Sequence, residues 1–174
     1  VLIDLTVAIG IGMVLAILIL LKRVLDASEI NLIDDKNRHP ESTKLDLPKG
    51  IEVYEIEGPF FFGIANRFDE TMRNMPGNPR ARIIRMRMVP FVDTTAIHNL
   101  KTMIELHKES QTQIILSGVQ PAVLETLRQS GVVDLLGEEN VTPHISLAVE
   151  RAMEFLKTHY PHDYEQWTKK HADR

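Results

Sequence analysis

The chain has no cysteine in 174 residues, which excludes a disulfide scaffold and leaves its fold to rest on packing and hydrogen bonding alone. It also lacks an excess of basic charge. Twenty Lys and Arg stand against 24 Asp and Glu, a formal net charge of −4, and no basic stripe runs along any segment; a nucleic-acid-binding surface is thereby excluded. Phosphate-binding loops are missing as well, because Gly58 and Gly63 bracket Pro59–Phe62 without the strand–glycine–lysine arrangement that cradles a nucleotide. No nucleophile stands at a recognisable spacing from a base, so the chain reads as a non-enzyme that needs no cofactor. There is no internal repeat and no low-complexity segment.

Charge is most conspicuously absent from Leu5–Leu21. At about 1.5 Å per helical residue this run covers roughly 26 Å, close to the hydrocarbon thickness of a bilayer, so residues 1–23 are expected to form one transmembrane helix. A signal peptide would place its positive charges before a shorter apolar core, whereas here Lys22 and Arg23 follow it. The basic pair sets a direction, since Lys and Arg at the end of a span stay on the cytoplasmic side. Everything after Lys22 is therefore expected in the cytoplasm, at the cell's inner (plasma) membrane. The chain opens on Val1 rather than on a start methionine and reads as a piece of something longer.

Residues 24–50 mix charges with Pro40 and Pro48 and read as a linker, although Leu25–Ile33 could prolong the span by a turn or two. Residues 51–159 supply about 110 residues, enough for one domain with its own core. Residues 160–174 form a polar tail. Within the domain, Ile51–Glu57 alternates as a strand, and Pro59–Phe62 after Gly58 suggests the second strand of a hairpin-like start. Ile64, Phe68, Met72 and Met75 recur at helical spacing, which predicts a helix over Gly63–Met75, closed by Pro76–Pro79. Arg82–Val89 is a strand with Ile84, Met86 and Met88 on a buried face and Arg85 and Arg87 on a wetter one. Thr94–Glu109 is an amphipathic helix with Ile97, Leu100, Ile104 and His107 near its apolar stripe, followed by a buried strand at Gln113–Ser117. Pro121 opens a third helix that runs to Gly131 or Gly137. Thr142 and Pro143 read as the N-cap and first residue of the last helix, marked by Ile145, Ala148, Ala152, Phe155 and Leu156. Strands alternating with helices make an α/β sheet.

The segment Arg82–Leu100, RIIRMRMVPFVDTTAIHNL, carries the one informative motif: a strand, a short loop, then Asp93, Thr94, Thr95 and Ala96 at a helix start. Short oxygen-bearing side chains belong there because the first helical turn leaves backbone N–H groups unpaired. This motif, in the order strand, hairpin, helix, strand, Asp-Thr-Thr, resembles the STAS domain shared by sulfate transporters and anti-sigma-factor antagonists. Leu127–Phe155 is similar to that family's third helix and last helix. An apolar span ending in Lys-Arg, with Asp4-Leu5-Thr6 near its start, resembles the last membrane helix of a SulP anion permease.

The resemblance implies an α/β STAS-like domain with a mixed sheet and about four helices behind one transmembrane helix. It implies the regulatory C-terminal portion of a secondary transporter of sulfate or a similar anion, with the anion held among preceding membrane helices. The partners it implies are the membrane portion of the same transporter, a second copy in a homodimer, and a cytoplasmic regulatory protein. The alternative it leaves open is a membrane-tethered signalling switch of the antagonist type, for which Thr95 stands at the phosphorylated hydroxyl. Ala96 departs from the family's usual glycine. Outside the motif, His159, His162 and His171 have poor zinc spacing and belong to a solvated tail. His98 reads as a partly exposed helix residue, Arg85 and Arg87 as solvated charges on an open sheet face, and Phe60, Phe61 and Phe62 as mostly core.

Overall fold

The computed structural model describes residues 2–26, 29–32, 47–48, 50–61 and 79–172. Helix α1 (Leu2–Asp26) holds the apolar run, and Leu5–Arg23 within it has the length and composition of a membrane span, with none of it buried against the rest of the chain. A run of exposed apolar side chains of this length suits a bilayer. The helix ends at Asp26, and strand β1 (Glu29–Leu32) begins three residues later, so the segment read as linker or further helix contributes a strand.

Strands β1, β2 (Ile51–Glu57), β3 (Ala81–Met88), β4 (Gln113–Ser117) and β5 (Val141–Thr142) lie side by side in that order. β1 is antiparallel to β2, and the other four strands are parallel to one another. Helix α2 (Thr94–Glu109) connects β3 to β4. Between β4 and β5 come α3 (Pro121–Gln129), α4 (Val132–Leu136) and a 3-10 turn at Glu138–Asn140. After β5 come α5 (Ile145–His159) and α6 (Pro161–Ala172).

Strand alternation sorts the core into two layers. Tyr54, Ile56, Ile84, Met86, Ile114 and Leu116 face one way and meet Leu100 and Ile104 of α2, Leu127 of α3 and Val133 of α4. Ile51, Val53, Ala81, Ile83 and Ile115 face the other way and meet Ala148, Ala152 and Leu156 of α5. Two alanines on the inner stripe of α5 let that single helix lie close to the sheet. Parallel packing covered on both faces explains why β4 reads as a near-continuous apolar run, Ile114–Leu116.

The structure corrects several sequence expectations. The antiparallel partner of β2 is β1; of the stretch expected as its hairpin partner, the described residues 59–61 turn away after Gly58 (φ +86°), and Phe60 forms an isolated parallel bridge with Val92. Met88 shares the face of Ile84 and Met86 but is 54% exposed, since it lies beyond the helices that cover that layer. The third helix stops at Gln129, and Val132 starts the separate α4 after Gly131 adopts a left-handed conformation (φ +76°). Thr142 lies in β5 rather than at a helix cap, and α5 starts at Ile145 behind His144. The stretch read as a polar tail forms α6, tied back by an ion pair of Arg80 with Asp163 (3.3 Å) and by the Arg80 guanidinium over the Tyr160 ring (4.1 Å). Phe62 and the helix expected over Gly63–Met75 lie outside the described residues.

Candidate functional site

Strand β3 ends at Met88, and five residues later Asp93 caps α2, so the motif sits at the edge of the sheet where the parallel strands terminate. Asp93 holds an extended backbone (φ −101°, ψ 176°), and its Oδ1 accepts from the Ala96 N–H at 2.8 Å. The carboxylate suits that end of a helix on two grounds: it satisfies an orphan donor and it meets the positive end of the dipole. Thr94 is exposed and Thr95 half-buried, while Ala96 is fully buried in the layer beneath α2. The alanine standing where the family has glycine thus fills space in the core with its methyl group. The next two turns carry His98, exposed, whose carbonyl accepts from the Thr102 hydroxyl at 3.1 Å.

The loop in front of the motif is fixed from both sides. The Phe60 N–H donates to the Phe91 carbonyl (3.1 Å), and the Asp93 N–H donates to the Phe60 carbonyl (3.3 Å). The Gln120 amide donates to the Arg87 carbonyl (2.9 Å), tying the β4–α3 turn to β3. Gly118 permits that approach. Its φ is +68°, and a Cβ there would lie 3.3 Å from the Arg87 Cβ, so a side chain would be both strained and crowded.

Arg85 and Arg87 are not simply solvated charges. Both reach Glu55 on the neighbouring strand: Arg87 Nε lies 2.6 Å from one carboxylate oxygen and Arg85 Nη1 3.6 Å from the other. Glu55 is 5% exposed, and the three groups together leave one net positive charge at the ends of β2 and β3. Burial lowers the Arg85 pKa from its ordinary value, the Glu55 carboxylate opposes that, and Arg87 adds to it. Ser117 is opposite Arg85 in register, and its hydroxyl is buried without a hydrogen-bond partner.

A second polar cluster lies at the other end of the same strands. Arg82 Nε and the Tyr54 hydroxyl both donate to Glu52 Oε2, at 3.1 and 2.7 Å. Arg82 also donates through Nη1 to His107 Nε2, and His107 Nδ1 is 2.7 Å from the Met103 carbonyl. That arrangement needs a neutral imidazole, protonated on Nδ1. Burial, ahead of the Arg82 charge, lowers the His107 pKa, and the Met103 carbonyl opposes the shift. Tyr54 is raised by burial and by its bond to Glu52. Sequence periodicity placed His107 near an apolar stripe; its partners come from strands that only the register brings beneath it.

Two of the tail histidines have local partners on their own helices. His159 stacks on Phe155 (4.4 Å), and His162 lies against Gln166 (3.0 Å). Among the described residues, no three His, Asp or Glu side chains come together as a metal site.

The STAS domain model matches residues 43–152. The chain is 26% identical over 145 residues to "Putative sulfate transporter YvdB" of Bacillus subtilis (strain 168), covering 83% of this chain and 27% of that protein. It therefore spans about a quarter of the length of that relative. Among solved structures, the crystal structure of a sulfate transporter family protein from Wolinella succinogenes is 37% identical, with a TM-score of 0.64, covering 69% of this chain and 99% of that one. The structure of the murine Solute Carrier 26 family member A9 anion transporter, in its inward-facing state, is 17% identical with a TM-score of 0.66. It covers 84% of this chain and 25% of that one, a likeness of fold alone. The mixed sheet, the capped Asp-Thr-Thr turn and these matches agree, and the chain belongs to the STAS domain family, among the STAS domains of SulP-type sulfate transporters.

Proposed function

We propose that this chain is part of a SulP-type secondary anion transporter, in which α1 is the membrane span that leads into the STAS domain and the STAS domain regulates transport from the cytoplasm. The observation that carries the reading is the join itself. An apolar helix whose Leu5–Arg23 stretch is unburied leads, within three residues, into the first strand of a STAS sheet. Lys22 and Arg23 at the end of that span favour the cytoplasmic side for everything beyond. Relatives bearing sulfate-transporter names favour a transporter over a tethered switch of the antagonist type.

In this reading the domain has no chemistry of its own to perform and is not an enzyme. Its work is contact: with the membrane portion, with a second copy, or with a cytoplasmic regulator, through the surface at Asp93, Thr94, Thr95 and Ala96. Phosphate on Thr95 would meet the positive end of α2 but would stand beside the Asp93 carboxylate. Asp93 is already engaged by the Ala96 N–H, which lessens but does not remove that repulsion.

The test is uptake of radiolabelled sulfate by the full-length protein in sealed proteoliposomes. Saturable uptake that unlabelled oxyanions compete away is expected; no flux of sulfate or any related anion would overturn the reading. The side of the membrane is read separately. The chain has no native cysteine, so Lys157→Cys supplies a single label site, which a membrane-impermeant maleimide should reach in right-side-out vesicles only after permeabilisation.

A further inference from the structure

The route of the chain out of α1 fixes which end of the domain meets the membrane. From Asp26 to Glu29 there are three peptide units, so β1 starts at most about 11 Å from the end of helix α1, one turn beyond the span. β1 leads away from the span, and β2 and β3 run opposite to it, back toward the membrane. Glu29 pairs with Glu57, and Glu57 with Met88, so the end of β3 lies two strand spacings, about 10 Å, from the start of β1. The membrane-proximal edge of the domain is the edge where the parallel strands end.

That edge carries an apolar tip. Outside α1, the exposed large apolar side chains among the described residues are Met88, Phe91, Leu106 and Leu147. Two of these four, Met88 at the end of β3 and Phe91 in the loop after it, stand together at 54% and 51% exposure, with Pro90 exposed between them. Phe91 stacks on the half-buried Phe61 at 6.3 Å, so the ring is held outward rather than free to fold down. Beside it Arg87 is 41% exposed and shares the single Glu55 carboxylate with Arg85. Glu57 is half-buried and the Asp93 carboxylate is turned to its helix, so neither carboxylate crowns the tip.

We infer that residues 88–91 form a membrane-docking tip, with Met88 and Phe91 entering the lipid headgroup and upper acyl region and Arg87 meeting lipid phosphates. Apolar side chains flanked by Arg suit that boundary, where the rings leave water and the guanidinium keeps polar partners. This inference rests on the reading of α1 as a span. Docking would hold the Asp-Thr-Thr turn, two residues beyond Phe91, within reach of the membrane.

The test uses the full chain in vesicles of phosphatidylcholine and phosphatidylglycerol, with the single tryptophan removed as Trp167→Phe and Phe91→Trp introduced. Lipids brominated near the top of the acyl chains should quench this tryptophan several-fold more than one at Lys157→Trp, which lies near the far end of α5. Leu21→Trp reports on the span. Strong quenching at both Leu21→Trp and Phe91→Trp is the expected result. If Leu21→Trp is quenched and Phe91→Trp behaves like Lys157→Trp, docking is wrong while the span stands. That holds whether aqueous acrylamide reaches the Phe91→Trp indole or a protein surface shields it. If Leu21→Trp is not quenched, the span itself is wrong and the docking tip falls with it.

Discussion

Replacing Glu55 with Gln removes the one anion that serves two guanidinium groups and keeps its size and one hydrogen-bond acceptor. The Glu55 side chain is 7% exposed, that of Arg85 16% and that of Arg87 41%. Breaking a fully buried pair by removing one partner costs about 3–5 kcal/mol, because a charge is left without compensation. Here Arg87 can turn to water and the amide still accepts from it, so a loss of about 2–3 kcal/mol is expected for Glu55→Gln. At roughly 2–4 °C per kcal/mol, that lowers the melting temperature by about 5–10 °C. Arg85→Met should cost less, since Glu55 keeps its 2.6 Å bond to Arg87. The double variant Glu55→Leu with Arg85→Met should recover part of the loss, because an apolar pair replaces an ionic one. Urea melts of the purified chain, run as a double-mutant cycle in low and high salt, give these values. A Glu55→Gln protein as stable as the parent would refute the reasoning and return both arginines to ordinary solvated charges.

Three further outcomes are expected. Folded His107 has a pKa below its ordinary 6.5, so the unfolded chain binds that proton more readily; its contribution is intact above about pH 6.5 and is lost as pH falls toward the folded value. Melts at several pH values should show this slope, and His107→Gln should flatten it. Asp93→Ala should cost about 0.5–2 kcal/mol through the lost cap, whereas Thr95→Glu should leave the melt unchanged and reduce anion uptake by the full-length protein; unchanged uptake would leave Thr95 an ordinary helix-start residue. Deleting residues 1–21 should yield a soluble domain with an unaltered melt, since none of the span is buried against the chain; aggregation of the shortened chain would show that α1 packs on the domain.

How much of this could be read from sequence depended on how local the causes were. Helix α2 and strand β4 run over Thr94–Glu109 and Gln113–Ser117, the expected bounds, because a capping Asp, an apolar stripe of period 3.6 and a short β-branched run are written in consecutive residues. Strand β1 was hidden. Glu-Ile-Asn-Leu is four residues long, sits among mixed charges, and becomes a strand only because it adds to the free edge of β2. Pro143 misled for a related reason: a proline after threonine opens many helices, but here it serves the turn between β5 and α5, and the Thr142 hydroxyl donates back to the Leu116 carbonyl at 3.2 Å. The motif residues Asp93 to Ala96 were legible as a helix start. The Glu55–Arg85–Arg87 cluster was not, since it exists only once β2 and β3 pair in parallel with Glu55 opposite Arg85.

The most direct test of the transporter reading is sulfate flux through the full-length protein against the same protein ended after Arg23, both reconstituted at equal density in sealed vesicles. A regulatory STAS domain requires that removing it change the flux several-fold while the membrane portion remains folded and correctly oriented. Identical flux from the two proteins would contradict the assignment of regulation to this domain.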